Sequence, residues 1–244
     1  MLNWPEVIMK VEKKTYKIIT NSGHGTAFII QANSERITIA TAWHVIDELW
    51  HEKNKFARYV KLISASGTVD IEAMAVGVAR LGPEGSDTGI VWIGKALTSH
   101  TVDEILIALA DSGIVGGLLD LSGGGGVINI SQNWKSNLFA ESNSFLPKNE
   151  VVKGMGVGWL GYPSVASESP CFFSGMISGF LQNPHLYLID GTSIRGQSGG
   201  PIFDNNGQIL GIVSKYLGPD SSTMAGLLGA VPITDIERLC NGYK

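Results

Sequence analysis

The chain has 244 residues and a formal net charge of −4, with 44% hydrophobic and 16% charged residues. The length suits one large domain or two small ones, and the 31 glycines favour short strands joined by tight turns over a helical bundle. No cluster of Lys and Arg could follow a phosphate backbone, so a nucleic-acid partner is not expected.

The cysteines and the N-terminus bear on the compartment. Cys171 and Cys240 are too few and too far apart to form a disulfide framework, so we expect reduced, structural thiols. No His, Cys and Asp cluster has the spacing of metal ligands, and neither a metal nor another cofactor is expected. Charged residues precede any apolar run long enough for a signal-peptide core, and no later run is long enough to span a bilayer. We therefore expect a cytoplasmic protein without a membrane partner.

The first part of the chain, residues 1–97, reads as one β module. Apolar and alternating runs between turn residues predict strands at 16–20, 26–30, 37–40, 60–63, 71–78 and 90–93. Between the third and the fourth of these strands, residues 43–50 predict one or two turns of helix. The pattern predicts a strand-rich unit with a short helical insertion.

A second β module is predicted over residues 151–244. Its strands are expected at 151–157, 172–181, 186–189, 208–216 and 226–231, with a hairpin turn at 204–207 and a short C-terminal helix at 234–241. The intervening residues 98–150 give no consistent pattern. We interpret them as an inter-module linker, with a lid or a partner-binding insertion as the alternative.

The segment Gly196-Gln197-Ser198-Gly199-Gly200-Pro201 is the most informative functional signal. A serine hydroxyl needs a base to remove its proton, and the oxyanion that forms on a substrate carbonyl needs two backbone N–H donors. Glycines on both sides of a serine let the main chain approach that carbonyl. Ser198 is therefore the candidate nucleophile, and the N–H groups of Gly196 and Ser198 are the candidate oxyanion donors.

The same segment also fits Gly-x-Ser-x-Gly, the nucleophile elbow of the α/β-hydrolases. That fold places its histidine after the serine, whereas all five histidines of this chain come before Ser198. An elbow serine also opens a helix, and Ser198 is instead followed by Pro201 and a hairpin signal. Chain order therefore argues against an α/β-hydrolase.

His44 and Asp87 are the candidate partners of Ser198. His44 follows an apolar strand at the point where a helical turn begins, and Asp87 precedes an apolar strand in the same module. A carboxylate in that position can accept the imidazole N–H, fix its tautomer and stabilise the imidazolium. By contrast, His24 has a loop context, and Asp47 is too close to His44 along the helical turn.

Taken in order, residues 39–45, 86–93 and 196–201 resemble the three signature blocks of chymotrypsin-like peptidases. The most similar members are the disulfide-free, trypsin-like proteases of the HtrA kind, with supporting matches at 25–29, 157–163 and 229–233. The resemblance implies a mostly β fold, namely a chymotrypsin-like double β-barrel with a short C-terminal helix and an active site in the cleft between the barrels. It implies a serine endopeptidase that hydrolyses protein substrates through an acyl-enzyme on Ser198, with a His44/Asp87/Ser198 triad.

The resemblance also implies where substrate binds. The floor of the primary specificity pocket falls at Thr192, and a neutral Thr gives no partner to a buried Lys or Arg side chain. Small or medium apolar residues are therefore expected before the scissile bond, with Asp190 as the alternative floor that would favour basic residues. The further substrate-binding residues that it implies are Ser193, Ser214, Lys215 and Tyr216.

Four features of the sequence depart from the family pattern. Gln197 replaces the aspartate that pairs with a new N-terminus in digestive-type relatives, so activation without N-terminal cleavage is expected. A PDZ-like domain of the kind that HtrA proteases carry is not expected from this sequence, and residues 98–150 exceed the usual link between the barrels. Thr88-Gly89 replaces a more apolar pair after the aspartate. Control is expected through the loops 161–169, 186–195 and 217–223, where a regulatory protein could act. The alternative function is an inactive or regulatory protease-like binding module.

Overall fold

The structure is a computed structural model. It describes residues 3–20, 23–32, 36–50, 59–65, 70–80, 87–98, 150–183, 185–217 and 227–236. Only the first and last residues of the expected linker, 98–150, belong to these ranges, so our interpretation of that segment falls outside the described residues.

In the described ranges, each module contains six strands. The elements of the first are α1 (Trp4–Glu12), β1 (Thr15–Ile19), β2 (His24–Ala32), β3 (Arg36–Thr41), α2 (Trp43–Ile46), a 3-10 helix (Asp47–Trp50), β4 (Tyr59–Ser64), β5 (Asp70–Arg80) and β6 (Gly89–Thr98). Those of the second are β7 (Gly156–Gly161), a 3-10 helix (Ser164–Ala166), β8 (Cys171–Leu181), β9 (Leu186–Asp190), β10 (Pro201–Phe203), β11 (Ile209–Leu217) and β12 (Leu227–Pro232).

Both groups of strands close into antiparallel barrels with the same topology. β1 pairs with β4 to close the first ring, and β7 pairs with β10 to close the second. When the strands of each barrel are numbered from one, both rings read 1-2-3-6-5-4. Residues 233–236 begin a helix after the last strand. The mostly β, double-barrel fold expected from the sequence is confirmed.

Two details of the second barrel differ from the sequence prediction. Residues 151–155 do not form a strand, because Gly154 has a φ of +83° and the N–H of Met155 donates to the carbonyl of Val152 at 3.2 Å, which makes a turn there. β7 accordingly begins at Gly156. The short strand β10 has too few residues for a periodic pattern to show, and the sequence prediction omits it.

Helix α1 is also missing from the sequence prediction, although its start signal is present. The side chain of Asn3 accepts a hydrogen bond from the N–H of Glu6 at 3.1 Å, as an N-cap does. Val7 lies in a buried cluster that joins this helix to the second barrel. The other buried members of the cluster are Val11, Leu160 and Phe203. The first helix of the chain therefore packs on the second barrel, while its end also contacts β1 of the first.

A larger apolar cluster joins the barrels to each other. The first barrel contributes side chains of β2, β3 and β6, and the second contributes side chains of β9, β11, β12 and the following helix. Its buried members are Phe28, Ile30, Ala40, Ile90, Leu186, Ile212, Val231, Ile233 and Ile236. Because buried side chains pack closely, this cluster fixes the ends of β3 and β6 relative to β11.

Candidate active site

His44 and Asp87 come from neighbouring strands of the first barrel. β3 pairs antiparallel with β6, and the register places Thr41 opposite Gly89. His44 lies just past the end of β3, and Asp87 lies just ahead of β6. The pairing therefore brings the two side chains together at one end of the barrel.

The Asp87 carboxylate accepts three hydrogen bonds from described residues. His44 donates two of them, from its backbone N–H to Oδ1 at 3.0 Å and from Nδ1 to Oδ2 at 2.7 Å. Ser214 of the second barrel donates the third, from Oγ to Oδ2 at 2.7 Å. The Asp87 side chain is only 24% exposed, so these donors replace lost water. The carboxylate thus orients the imidazole and connects it to the second barrel.

The contact with Asp87 also determines the acid–base properties of His44. Donation from Nδ1 leaves the lone pair of Nε2 free to accept a proton. The hydrogen bond to Asp87 raises the pKa of His44 above its ordinary value of 6.5, and burial opposes this effect. The negative charges of Asp87 and Asp47 also raise this pKa. In this environment His44 can act as a base at neutral pH.

Packing accounts for Gly89, two residues after Asp87. A Cβ on Gly89 would lie 2.6 Å from Cδ1 of Ile46 and 3.3 Å from the ring of Trp43. Both of these residues belong to α2, the helix that carries His44. Helix α2 therefore packs directly on the start of β6, and the departure from the family pattern at Gly89 serves this contact.

Ser198 lies in a loop whose backbone requires glycine on both sides of it. Gly196 and Gly199 have φ of +93° and +88°, in the left-handed region. A Cβ on Gly199 would lie 2.1 Å from the carbonyl oxygen of Thr26, and a Cβ on Gly196 would lie 2.2 Å from the carbonyl oxygen of Tyr162. Neither the conformation nor the space admits a side chain.

The peptide between Arg195 and Gly196 has a fixed orientation. Its carbonyl oxygen accepts a hydrogen bond from the N–H of Ser164 at 2.7 Å. Because the C=O and N–H of a trans peptide point in opposite directions, the N–H of Gly196 points away from Ser164. It makes no hydrogen bond to another described residue.

The peptide between Gln197 and Ser198 is held in a similar way. Its carbonyl oxygen accepts a hydrogen bond from the N–H of Gly200 at 2.9 Å. The N–H of Ser198 likewise makes no hydrogen bond within the described part of the chain. The loop thus presents two backbone donors without protein acceptors, at Gly196 and Ser198.

Ser214 connects Ser198 with the pair formed by His44 and Asp87. The Ser198 hydroxyl donates to the carbonyl oxygen of Ser214 at 3.3 Å, and the Ser214 hydroxyl donates to Asp87. Between the described residues there is no hydrogen bond from Ser198 to His44. The structure therefore brings His44 and Asp87 into direct contact and connects Ser198 to them through Ser214.

Gln197 is completely buried beside the nucleophile. Its Oε1 accepts a hydrogen bond from the backbone N–H of Ile194 at 2.9 Å, which braces the loop internally. Its Nε2 is buried and has no partner among the described residues. A neutral amide here orders the loop without a counter-ion.

The residues expected to bind substrate lie on two adjacent segments. Thr192 is exposed and Ser193 is half-buried in the loop after β9, and Asp190 is exposed at the end of that strand. On β11, Ser214 is buried and Lys215 is exposed, and Tyr216 follows them. Past Val213, the pairs that the structure describes for β11 are all with β12, so its other edge has no strand partner among the described residues.

Two features of this site are not predicted by the sequence. Ser214 is predicted to contact substrate, but its hydrogen bond to Asp87 depends on the contact between the barrels. Thr26 falls in the family match at 25–29 without a predicted role, although three of its hydrogen bonds reach the second barrel. Partners this distant in sequence leave no local pattern that could have identified them.

Within the described ranges, no group of three or more His, Cys, Asp or Glu side chains could hold a metal ion. No helix in these ranges is long and apolar enough to cross a membrane. Cys171 is a free thiol.

Comparison of the structure with solved structures gives matches over nearly the whole chain. An inactive Ser→Ala variant of Rv3671c from M. tuberculosis H37Rv is 17% identical, with a TM-score of 0.57, and the match covers 97% of this chain and 89% of that one. The inactive form of the Rv3671c protease is 18% identical, with a TM-score of 0.53 and coverage of 97% and 91%. Deg5 is 19% identical, with a TM-score of 0.57 and coverage of 96% and 90%. At these identities the matches establish the fold.

The family comes from the sequence comparison. A search of curated protein sequences gives no match. Residues 25–212 match the family model of the trypsin-like peptidase domain, a span that runs from β2 into β11 and includes His44, Asp87 and Ser198. The chain therefore belongs to the trypsin-like peptidase family and is a serine endopeptidase with the chymotrypsin-like fold.

Proposed function

We propose that Ser198 is the nucleophile of this endopeptidase, that His44 is its general base and that Asp87 orients the base. The observation that carries the proposal is the pair of 2.7 Å hydrogen bonds that His44 and Ser214 donate to Asp87. Ser214 is also the residue whose carbonyl receives the hydroxyl of Ser198. The carboxylate of Asp87 thus accepts hydrogen bonds both from the base and from the strand that adjoins the nucleophile.

In the proposed reaction, Nε2 of His44 takes the proton of the Ser198 hydroxyl as Oγ bonds to the scissile carbonyl carbon. The C–N bond then breaks, and His44 returns the proton to the leaving amine. The acyl group stays on Oγ until a water molecule, deprotonated by the same imidazole, hydrolyses the ester. Asp87 stabilises the imidazolium that exists between these proton transfers.

The N–H groups of Gly196 and Ser198 are the proposed oxyanion donors. Both are free of protein acceptors within the described ranges, and one belongs to the nucleophile residue while the other lies two residues before it in a loop held by hydrogen bonds. Donors that are already oriented need no reorganisation when charge develops on the substrate oxygen. This arrangement supports an oxyanion hole that is formed before substrate binds.

The open edge of β11 supports substrate binding as an added strand. The carbonyl of Ser214 is the first acceptor beyond the pairing with β10, so a substrate N–H would bind there. The Ser198 hydroxyl would then lose its present acceptor and turn to Nε2 of His44. Its bond to Ser214, at 3.3 Å, is long for a hydroxyl donor and is easily exchanged.

We also propose a cytoplasmic location and control through loops. The free thiol of Cys171 is compatible with a reducing compartment, and cell fractionation of the source organism would test the cytoplasmic location.

Control through loops rests on one backbone contact. The N–H of Ser164 donates to the carbonyl of Arg195, and this hydrogen bond joins two of the three loops expected to regulate the site. A regulatory protein that moved the loop at 161–169 would therefore act on the Gly196 peptide, which makes such a protein a proposed partner. A nucleic-acid partner is not proposed.

The proposal is tested by removing the nucleophile and the base in turn. Ser198→Ala and His44→Ala should each lower the rate of casein cleavage roughly 10⁴-fold or more, because each variant removes a member of one catalytic unit. Ser178→Ala, at an exposed serine of β8 outside the three expected control loops, should leave the rate unchanged. Cleavage at the wild-type rate by either active-site variant would refute the assignment.

The pH dependence of kcat/KM for p-nitrophenyl acetate should follow His44. Neutral imidazole is the active form and its pKa is raised, so activity should be full at high pH and lost as pH falls through a value above 6.5. Asp87→Asn should lower kcat by roughly three orders of magnitude and move the inflection to lower pH. Asp47→Asn, at an exposed residue that only raises the pKa through its charge, should shift the inflection slightly and keep kcat. An inflection unaffected by Asp87→Asn would contradict the role of Asp87.

Cleavage of a peptide library should show a preference for small or medium apolar residues before the scissile bond. Thr192 offers a hydroxyl but no charge, so a buried basic side chain would go unpaired. Thr192→Asp should shift the preference toward Lys and Arg. A strong preference for Lys and Arg in the wild type would reject Thr192 as the pocket floor and assign that position to Asp190.

The chain should be active with its N-terminus intact. An inserted α-amino group would meet the neutral amide of the fully buried Gln197 and would remain an uncompensated buried charge. The first helix, moreover, packs on β7 and β10 through Val7 and Val11. A chain with an uncleavable N-terminal tag should therefore turn over substrate while its intact mass stays unchanged. Activity that appears only after loss of an N-terminal segment would disprove this expectation.

A further inference from the structure

Thr26 belongs to β2 of the first barrel, but most of its hydrogen bonds reach the second. Its backbone N–H donates to the carbonyl of Ser198 at 2.8 Å. Its hydroxyl donates to the carbonyl of Gly196 at 2.7 Å and accepts from the N–H of Tyr162 at 2.9 Å. The residue is completely buried, so water cannot substitute for any of these bonds.

The hydroxyl of Thr26 uses its full donor capacity in this arrangement. A threonine hydroxyl has one proton to donate, and here that proton goes to Gly196. The N–H of Tyr162, at the end of β7, occupies one of the lone pairs and thereby orients the proton. Gly161 leaves room for the contact, since a Cβ there would lie 3.1 Å from Oγ1 of Thr26 and 2.9 Å from Cα of Gln197.

The consequence concerns the direction of the Gly196 N–H. Gly196 is flanked by two peptide planes, and each plane has an anchor. The carbonyl of Arg195 accepts from the N–H of Ser164, and the carbonyl of Gly196 itself accepts from Thr26. A glycine has no Cβ to restrict rotation of these planes, so the two anchors determine where its N–H points. Of the two anchors, the side-chain hydroxyl of Thr26 is the one that mutation can remove.

We propose that the hydroxyl of Thr26 is a positioning group for the oxyanion hole: it holds the peptide plane that follows Gly196 and thereby keeps the N–H of Gly196, in the preceding plane, facing the substrate oxygen. The proposal rests on the assignment of Gly196 and Ser198 as oxyanion donors. Thr26 does not touch the reacting atoms. It acts from the first barrel on a loop of the second, and so couples the barrel contact to the rate of the chemical step.

Another buried threonine of the first barrel provides a matched control. Thr38 is 1% exposed, and its hydroxyl has no hydrogen-bond partner among the described residues. A change from Thr to Val makes the same chemical alteration at both positions. At Thr38 it removes no hydrogen bond, whereas at Thr26 it leaves the carbonyl of Gly196 and the N–H of Tyr162 without partners.

The experiment measures the burst and the steady-state hydrolysis of p-nitrophenyl acetate in two pairs of chains. Thr26→Val is compared with the wild type, and Thr26→Ala is compared with Thr26→Ser, so that each pair differs by the hydroxyl. In both pairs, loss of the hydroxyl should lower kcat per active site about 10- to 100-fold, less than the loss of an oxyanion donor itself. KM should change by less than about threefold, because ground-state binding is retained. Thr38→Val should match the wild type in both constants.

The burst amplitude separates this role from a merely structural one. A structural defect lowers the number of active sites, which the amplitude counts, and leaves kcat per site unchanged. The inference would be overturned if, in both pairs, loss of the hydroxyl lowered the burst amplitude and left kcat per active site unchanged. Equal kcat with and without the hydroxyl, at equal amplitude, would also overturn it. If Thr26→Val does not fold, the comparison of Ser with Ala decides alone. Failure of the proposed function would look different, as a wild-type chain without a burst or a Ser198→Ala variant that keeps it.

Discussion

The carboxylate of Asp87 accepts hydrogen bonds from both barrels, and the geometry of the site depends on it. Two of its donors belong to His44, and the third is the hydroxyl of Ser214 on β11. A largely buried carboxylate is costly unless donors replace its water, so the barrels must stay in register for the charge to be compensated. The apolar cluster between the barrels maintains that register.

The loop around Ser198 is also held by hydrogen bonds from both barrels, and in this loop the acceptors are backbone carbonyls. Positive φ at Gly196 and Gly199 turns the chain so closely against Thr26 and Tyr162 that no side chain fits. The carbonyls of this loop are then bound by donors from several elements, and the N–H groups of Gly196 and Ser198 have no acceptors among the described residues. The His44/Asp87 pair and the Ser198 loop thus meet at the interface between the barrels. Hydrogen bonds across this interface orient both the imidazole of His44 and the backbone N–H donors of Gly196 and Ser198.

Much of this organisation could be predicted from the sequence because its signals are local. The glycines around Ser198 and the positions of His44 and Asp87 beside apolar strands are readable from residue types and spacing. The turn at 204–207 is equally local, and the structure confirms it: Gly207 has a φ of +81° and its N–H donates to the carbonyl of Asp204 at 3.0 Å.

The features that escaped prediction depend on partners far away in sequence or on very short elements. Thr26 contacts residues 136 and 170 positions away, so nothing near it in the sequence reveals its role. Helix α1 has an N-cap that the sequence could have shown, but its apolar side chains Val7 and Val11 are buried by residues of the second barrel, which are far away in sequence. Strand β10, with three residues, exists because its neighbours pair with it.

Activation of Ser198 by His44 and Asp87 can be measured with a fluorophosphonate probe, with the modified residue located by peptide mass spectrometry. We expect about one probe per chain, on Ser198, because an unactivated serine hydroxyl does not react. Labelling should slow sharply in His44→Ala, with the fold intact by circular dichroism. A folded chain that remains unlabelled, or a probe attached to a serine other than Ser198, would show that Ser198 is not the activated nucleophile.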